Sequence, residues 1–125
     1  MQQLQWKGED KRRLSEFRRT LHRIPELEFD LFKTQAAVLN VLRPLQPDTL
    51  YTVGCGVVAV FRAPGESGKA LAFRADMDAL PIAEQTGLAF ASLHPGAMHA
   101  CGHDGHMACL LELAHRISHH REILP

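Results

Sequence analysis

Apolar residues recur at helical steps in the first forty positions. Leu14, Phe17, Leu21 and Ile24 are spaced by three and four, with Arg12, Arg13, Arg18 and Arg19 between them. This predicts an amphipathic helix over 9–24. Glu9 and Asp10 sit in its first turn and His22 and Arg23 in its last, as the helix dipole favours, and Pro25 stops it. A second helix fits 30–42. Asp30 is the expected N-cap, and Leu31, Val38 and Leu42 form a stripe that Gln35 interrupts, with Phe32, Ala36 and Leu39 beside it. Pro44 and Pro47 close this helix.

The period then changes. Val57-Val58-Ala59-Val60-Phe61 is short, apolar and β-branched, the mark of a buried strand. A turn is expected over 64–68, and Ala70-Leu71-Ala72-Phe73-Arg74-Ala75 reads as a second strand. The expectation is an antiparallel hairpin of these two runs, joined to a larger sheet. Residues 79–100 are loop-rich. A third helix spans about 104–119, with Leu110, Leu111, Leu113, Ala114 and Ile117 as its apolar positions. Helix, helix, strands, helix is an α/β pattern with an incomplete sheet.

Composition narrows the function classes. Of 125 residues, 46% are hydrophobic, and 14 Lys+Arg offset 14 Asp+Glu. A disordered tail is excluded by the hydrophobicity, and a basic nucleic-acid binder by the charge balance. No apolar run approaches the roughly 20 residues of a membrane span. Arg12, Arg13, Arg18 and Arg19 read as a solvated helix face. The start, Met1 to Trp6, is polar and has no signal-peptide pattern. Cys55, Cys101 and Cys109 have no framework spacing. The expectation is free thiols in the cytoplasm.

Two clusters carry chemistry. Asp76 and Asp78 lie two residues apart beyond an apolar strand, where they point to one side in extended chain. Such a pair binds metal or tunes its own proton affinity; otherwise it is a solvated loop with one Asp capping a turn. The second cluster, Met98-His99-Ala100-Cys101-Gly102-His103-Asp104-Gly105-His106, sets one Cys and three His beside a helix start. Thiolate and imidazole are ligands of borderline-soft divalent metals. The spacing is not that of a closed structural zinc site, which leaves an open catalytic site, an incomplete one, or a His-rich loop without metal. His115 and His119, at i,i+4, read as a solvated face; Cys109 reads as a core thiol and His22 as a helix-end histidine. His94 has no assigned role.

Three stretches in order, Leu21-His22-Arg23-Ile24-Pro25-Glu26-Leu27, Arg74 to Pro81 and Met98 to His106, resemble the M20 metallopeptidase family. The likeness is to its amidohydrolase branch, with hippurate hydrolases, N-acyl-amino-acid amidohydrolases and auxin-conjugate hydrolases. It implies the N-terminal portion of a metallopeptidase-type catalytic domain over 1–125. It also implies a site of two divalent metals, manganese or zinc, hydrolysing the amide of a small-molecule N-acyl amino acid. By resemblance, Cys101 and His103 are ligands. Asp78 is the catalytic-site Asp that stands behind a metal-site residue and fixes that residue's orientation, and Asp76 and His106 are supporting residues. Neither nucleic acid nor membrane is implied as a partner, and full-length relatives are expected to form homo-oligomers.

The family's general base, a Glu of a Glu-Glu pair, lies past the third helix. Three further ligands, a Glu and two His, and the inserted dimerisation or lid domain are likewise not found in these 125 residues. Glu112 and Glu122 are wrongly placed to substitute. The expectation is therefore a truncated, inactive piece of an amidohydrolase. The alternative is a small non-catalytic metal-binding or interaction protein derived from the enzyme fold.

Overall fold

The computed structural model describes residues 5–65 and 68–124. Its elements are α1 (Gly8–His22), α2 (Phe32–Leu42), β1 (Thr49–Val53), β2 (Gly56–Val60) and α3 (His103–His119), with short 3-10 turns at Arg43–Leu45 and Arg121–Ile123. The fold is α/β. The three helices fall where apolar periodicity places them, to within a few residues at each end. None is long and apolar enough to cross a membrane.

The core lies where α1, α2 and α3 meet: Leu21, Val38, Leu42, Met107 and Leu111, flanked by Phe17, Leu50, Val57 and Met77. Each fully buried side chain of this kind contributes about 1.5–3 kcal/mol. Polar contacts fix the helix angles. Asp10 accepts the Lys7 N–H at 2.8 Å, holding the first turn of α1. Arg13 donates two 2.7 Å hydrogen bonds to the Glu112 carboxylate, and Arg116 donates to Asp10 at 2.9 Å, so this network bolts α1 to α3.

The second helix is capped differently from expectation. Asp30 is exposed and its side chain makes no cap; Leu31 is the N-cap residue. Glu26 reaches forward instead. Its Oε1 accepts the Thr34 N–H at 2.6 Å and the Thr34 hydroxyl at 2.8 Å, and Oε2 accepts the Lys33 N–H at 3.2 Å. Gln35, the polar break in the stripe, has a job of its own: its side-chain amide donates to the carbonyls of Gly54 and Gly56 at 2.9 and 3.2 Å.

Those glycines flank a hairpin that differs from the expected one. β2 pairs antiparallel with β1, upstream, in a register from Thr49↔Val60 to Val53↔Gly56. Gly54 opens the two-residue turn at φ 56°, which an L side chain rarely adopts. Residues 70–75 are not a ladder strand. Their alternation is strand-like, but they pair with no strand among the described residues, and Leu71 and Phe73 are 72% and 61% exposed. The turn expected over 64–68 includes Glu66 and Ser67, which lie outside the described residues.

Beyond the helices, backbone hydrogen bonds stitch distant segments together. Leu80 and Met98 exchange both N–H···O bonds at 3.0 Å, joining the Asp76–Asp78 segment to the Cys/His loop. Ala79 N–H donates to Glu26 O at 2.8 Å and Leu93 N–H to Arg23 O at 2.9 Å, adding the end of α1 to the same cluster. His94 joins it through Nδ1, 2.7 Å from Pro25 O.

Candidate metal-binding site

The Cys/His loop ends in a tight turn. Gly102 takes φ 97° between Cys101 and His103, which permits the chain to turn into α3. Cys101 is exposed. His103 is held by the segment that the Leu80–Met98 bridge brings up. Its Nδ1 lies 2.8 Å from Asp78 O and 3.1 Å from Asp78 Oδ1, so Nδ1–H donates to both. That fixes the tautomer and leaves Nε2 with its lone pair free. A carboxylate behind a histidine in this way is how proteins orient a metal-ligating imidazole.

The other residues separate from this pair. Asp76 pairs with Arg74 at the surface. His106 lies one turn into α3, its ring 6.0 Å from that of His103. It faces an open groove of about 440 Å³ that Phe73, Arg74, Cys109, Leu110 and Leu113 also line. Cys109 is exposed there, not a core thiol as its apolar neighbours predict, because the outward face of α3 has nothing packed on it among the described residues. His115 and His119 stack with centroids 4.5 Å apart. Among the described residues, no three His, Cys, Asp or Glu groups converge on one point. The donor set, one thiol and one imidazole nitrogen, is nevertheless that of a borderline-soft divalent cation.

Sequence reasoning missed a buried network beside this loop. His22 ends α1, as expected, but is 1% exposed. Its Nδ1 lies 2.7 Å from Asp104 Oδ2 and its Nε2 2.9 Å from Glu84 Oε1. Arg18 Nε donates to Asp104 Oδ2 at 3.0 Å, and the edge of Phe90 packs against the His22 ring. Burial alone would raise the Glu84 carboxyl. The Thr86 hydroxyl, the Ser92 N–H and His22 outweigh it and hold Glu84 below its ordinary value. Asp104 is likewise held low against its burial, by His22, the Gly105 N–H and Arg18. The available signal was His22 beside Pro25-Glu26 in the first family-like stretch. His99, also buried, is the opposite case: neither ring nitrogen meets a partner among the described residues, and burial pushes its proton affinity down.

The structure thus sets an exposed Cys101 two residues before an imidazole anchored by Asp78, and sequence likeness adds to this geometry. Residues 72–125 match the model of peptidase family M20/M25/M40. The chain is 46% identical over 109 residues to an N-acetyldiaminopimelate deacetylase of Halalkalibacterium halodurans, covering 86% of this chain and 29% of that protein. To the protein of the same name in Bacillus subtilis it is 51% identical over 107 residues, covering 82% and 28%. Among solved structures it is similar to Bacillus subtilis YXEP, described as a dinuclear metal binding peptidase from the M20 family. There the TM-score is 0.86 and the identity 38%, over 94% of this chain and 33% of that one. A putative aminohydrolase from methicillin-resistant Staphylococcus aureus gives a TM-score of 0.79 at 40% identity, over 91% and 30%. The chain thus spans about 30% of the length of the relatives it matches.

Proposed function

We propose that these 125 residues are the N-terminal part of the catalytic domain of a metal-dependent amidohydrolase that cleaves N-acyl amino acids. N-acetylated amino acids are the favoured class, given the names of the relatives. The observation that carries this reading is the Asp78–His103 contact beside Cys101, within a segment matching the family. In this reading Cys101 Sγ and His103 Nε2 hold a divalent cation, manganese or zinc. Asp78 fixes the imidazole, and Asp76 and His106 are supporting residues at its edge. Bound cations would supply Lewis acidity, polarising the amide carbonyl and easing ionisation of the attacking water.

Two donors do not make a two-metal site. The remaining ligands, the general base and the lid or dimerisation domain are proposed to come from polypeptide outside these 125 residues. The chain alone is therefore expected to bind metal weakly and to turn over nothing. The test is an assay of the purified chain with N-acetyl- and N-benzoyl-amino acids and Mn²⁺ or Zn²⁺. Turnover above that of a Cys101→Ala variant would overturn the claim of inactivity. Failure of the same segment to support activity when it replaces its counterpart in a full-length deacetylase would overturn the assignment.

A further inference from the structure

We propose that His22 is a positioning residue for the Cys101–His103 pair, acting through Asp104; this rests on the metal-binding reading of that pair. Asp104 follows His103 directly and is 1% exposed. Adjacent Cα atoms are about 3.8 Å apart, so whatever fixes Asp104 limits where His103 sits. What fixes it is the end of α1. Asp104 Oδ2 lies 2.7 Å from His22 Nδ1 and accepts from Arg18 Nε at 3.0 Å. His22 is itself immobilised: its second nitrogen lies 2.9 Å from Glu84 Oε1, and Glu84 accepts the Ser92 N–H at 2.9 Å and the Thr86 hydroxyl. The imidazole is thus the joint between three segments, at residues 22, 84–92 and 104. The Asp78 contact sets the ring of His103 from one side, and the His22–Asp104 contact sets its backbone from the other.

A buried ionic network can serve stability alone, and the molecule contains the control for that. Asp10, Arg13, Glu112 and Arg116 also clamp α1 to α3. Glu112 lies eight residues beyond Asp104, about 12 Å along the helix. Both networks hold the same helix pair, but only that of His22 adjoins the loop. Loosening either should lower stability; loosening the first alone should also weaken metal binding.

The experiment titrates the 125-residue chain with Co²⁺ alone, under anaerobic conditions, following the thiolate-to-cobalt charge-transfer absorption. Every variant is measured below its own unfolding transition. His22→Asn is expected to raise the Co²⁺ Kd about tenfold, the low end of the effect of losing a ligand's direct outer partner because His22 acts through Asp104, and to diminish the band. Glu84→Gln, which keeps the shape and one acceptor for His22, should show a smaller loss in the same direction. Glu112→Gln should lower Tm and leave Kd within about twofold, which is less than any outer-partner effect. Wild-type affinity in His22→Asn overturns the inference, as does an equal loss in Glu112→Gln. If His22→Asn does not fold, Glu84→Gln decides by the same criterion. If the unmutated chain gives no band, or Cys101→Ala retains it, the metal-binding reading itself fails, and the inference falls with it; that failure is visible before any network variant is compared.

Discussion

His22 and His99 are both buried, yet their surroundings imply opposite costs of removal. Replacing His22 by Leu takes one partner from each of two buried carboxylates, Asp104 and Glu84, whose side chains are 2% and 4% exposed. Asp104 keeps Arg18 and Glu84 keeps Thr86 and Ser92, so the loss is that of hydrogen bonds to charged groups, about 1.5–3 kcal/mol each. His99 has no hydrogen bond to lose among the described residues, and an unmet buried nitrogen costs about 1–3 kcal/mol. His99→Phe is therefore expected to leave stability unchanged or raise it. Urea unfolding of both variants checks this, and an equal loss in the two would show that His99 has a partner. Asp78 supplies a third case. Its side chain is 44% exposed, so Asp78→Ala should shift Tm little. The same variant should weaken Co²⁺ binding about tenfold or more by freeing the His103 ring, as cobalt titration would report. Cys101, His103 and Asp78 were legible because their residue types and spacing carry the family likeness. His22 was not, because nothing local to a helix end announces partners 62 and 82 positions away.

Helices were easier to read than caps or strands. A helix needs only its own periodicity, and the stripes around Leu21, Val38 and Leu111 supply it. A cap need not come from the adjoining residue, and Glu26 reaches α2 from the turn after Pro25. Glu26→Ala should cost about 1–2 kcal/mol, as losing a good N-cap does, whereas Asp30→Ala should cost almost nothing. Chemical denaturation of the two variants tests that contrast, and a reversed order would sink it. Strands depend on partners, which is why β2 was foreseen and its pairing was not. Thr49 to Val53 offers a β-branched and aromatic run beside a Gly54 turn, and this local ladder forms. Residues 70–75 carry an equally good pattern with no ladder to join among the described residues. Such an edge, with Leu71 and Phe73 exposed, invites self-association. Leu71→Lys together with Phe73→Lys should raise the monomer fraction in sedimentation velocity while changing stability by less than about 0.5 kcal/mol, the usual range for surface positions. An unchanged sedimentation profile would show that this edge does not drive association.

At the scale of the whole chain, charges cancel at neutral pH, 14 against 14, so overall repulsion contributes little there and the buried networks set the pH response. Glu84 and Asp104 have proton affinities held below the ordinary 4.5 and 3.8. For groups lowered on folding, the unfolded chain binds more protons between the two values, so stability rises with pH. Their contribution is complete above about pH 4.5 and is lost as pH falls through the folded-state values. His99 and His115 are lowered from 6.5, in both cases mainly by burial. The same sign applies, so their contribution is complete above 6.5 and starts to decline below it. Both sets act in one direction and in separate windows. Tm should fall gently from about pH 6.5 and steeply below about pH 4.5, with no acid-side maximum. Asp10 of the α1–α3 clamp, held low by the Lys7 N–H and Arg13, shares the steep phase with the His22 network. That network holds the end of α1, the 84–92 loop and the start of α3 together, so acid should open the Cys/His loop as it melts the fold. Glu84→Gln removes one titrating carboxylate and should flatten that phase while leaving the gentle one in place. Thermal melts of the two proteins over this range decide it: superimposable pH profiles would mean that acid unfolding runs through other groups, Asp10 first among them and then the exposed Asp48 and Glu122.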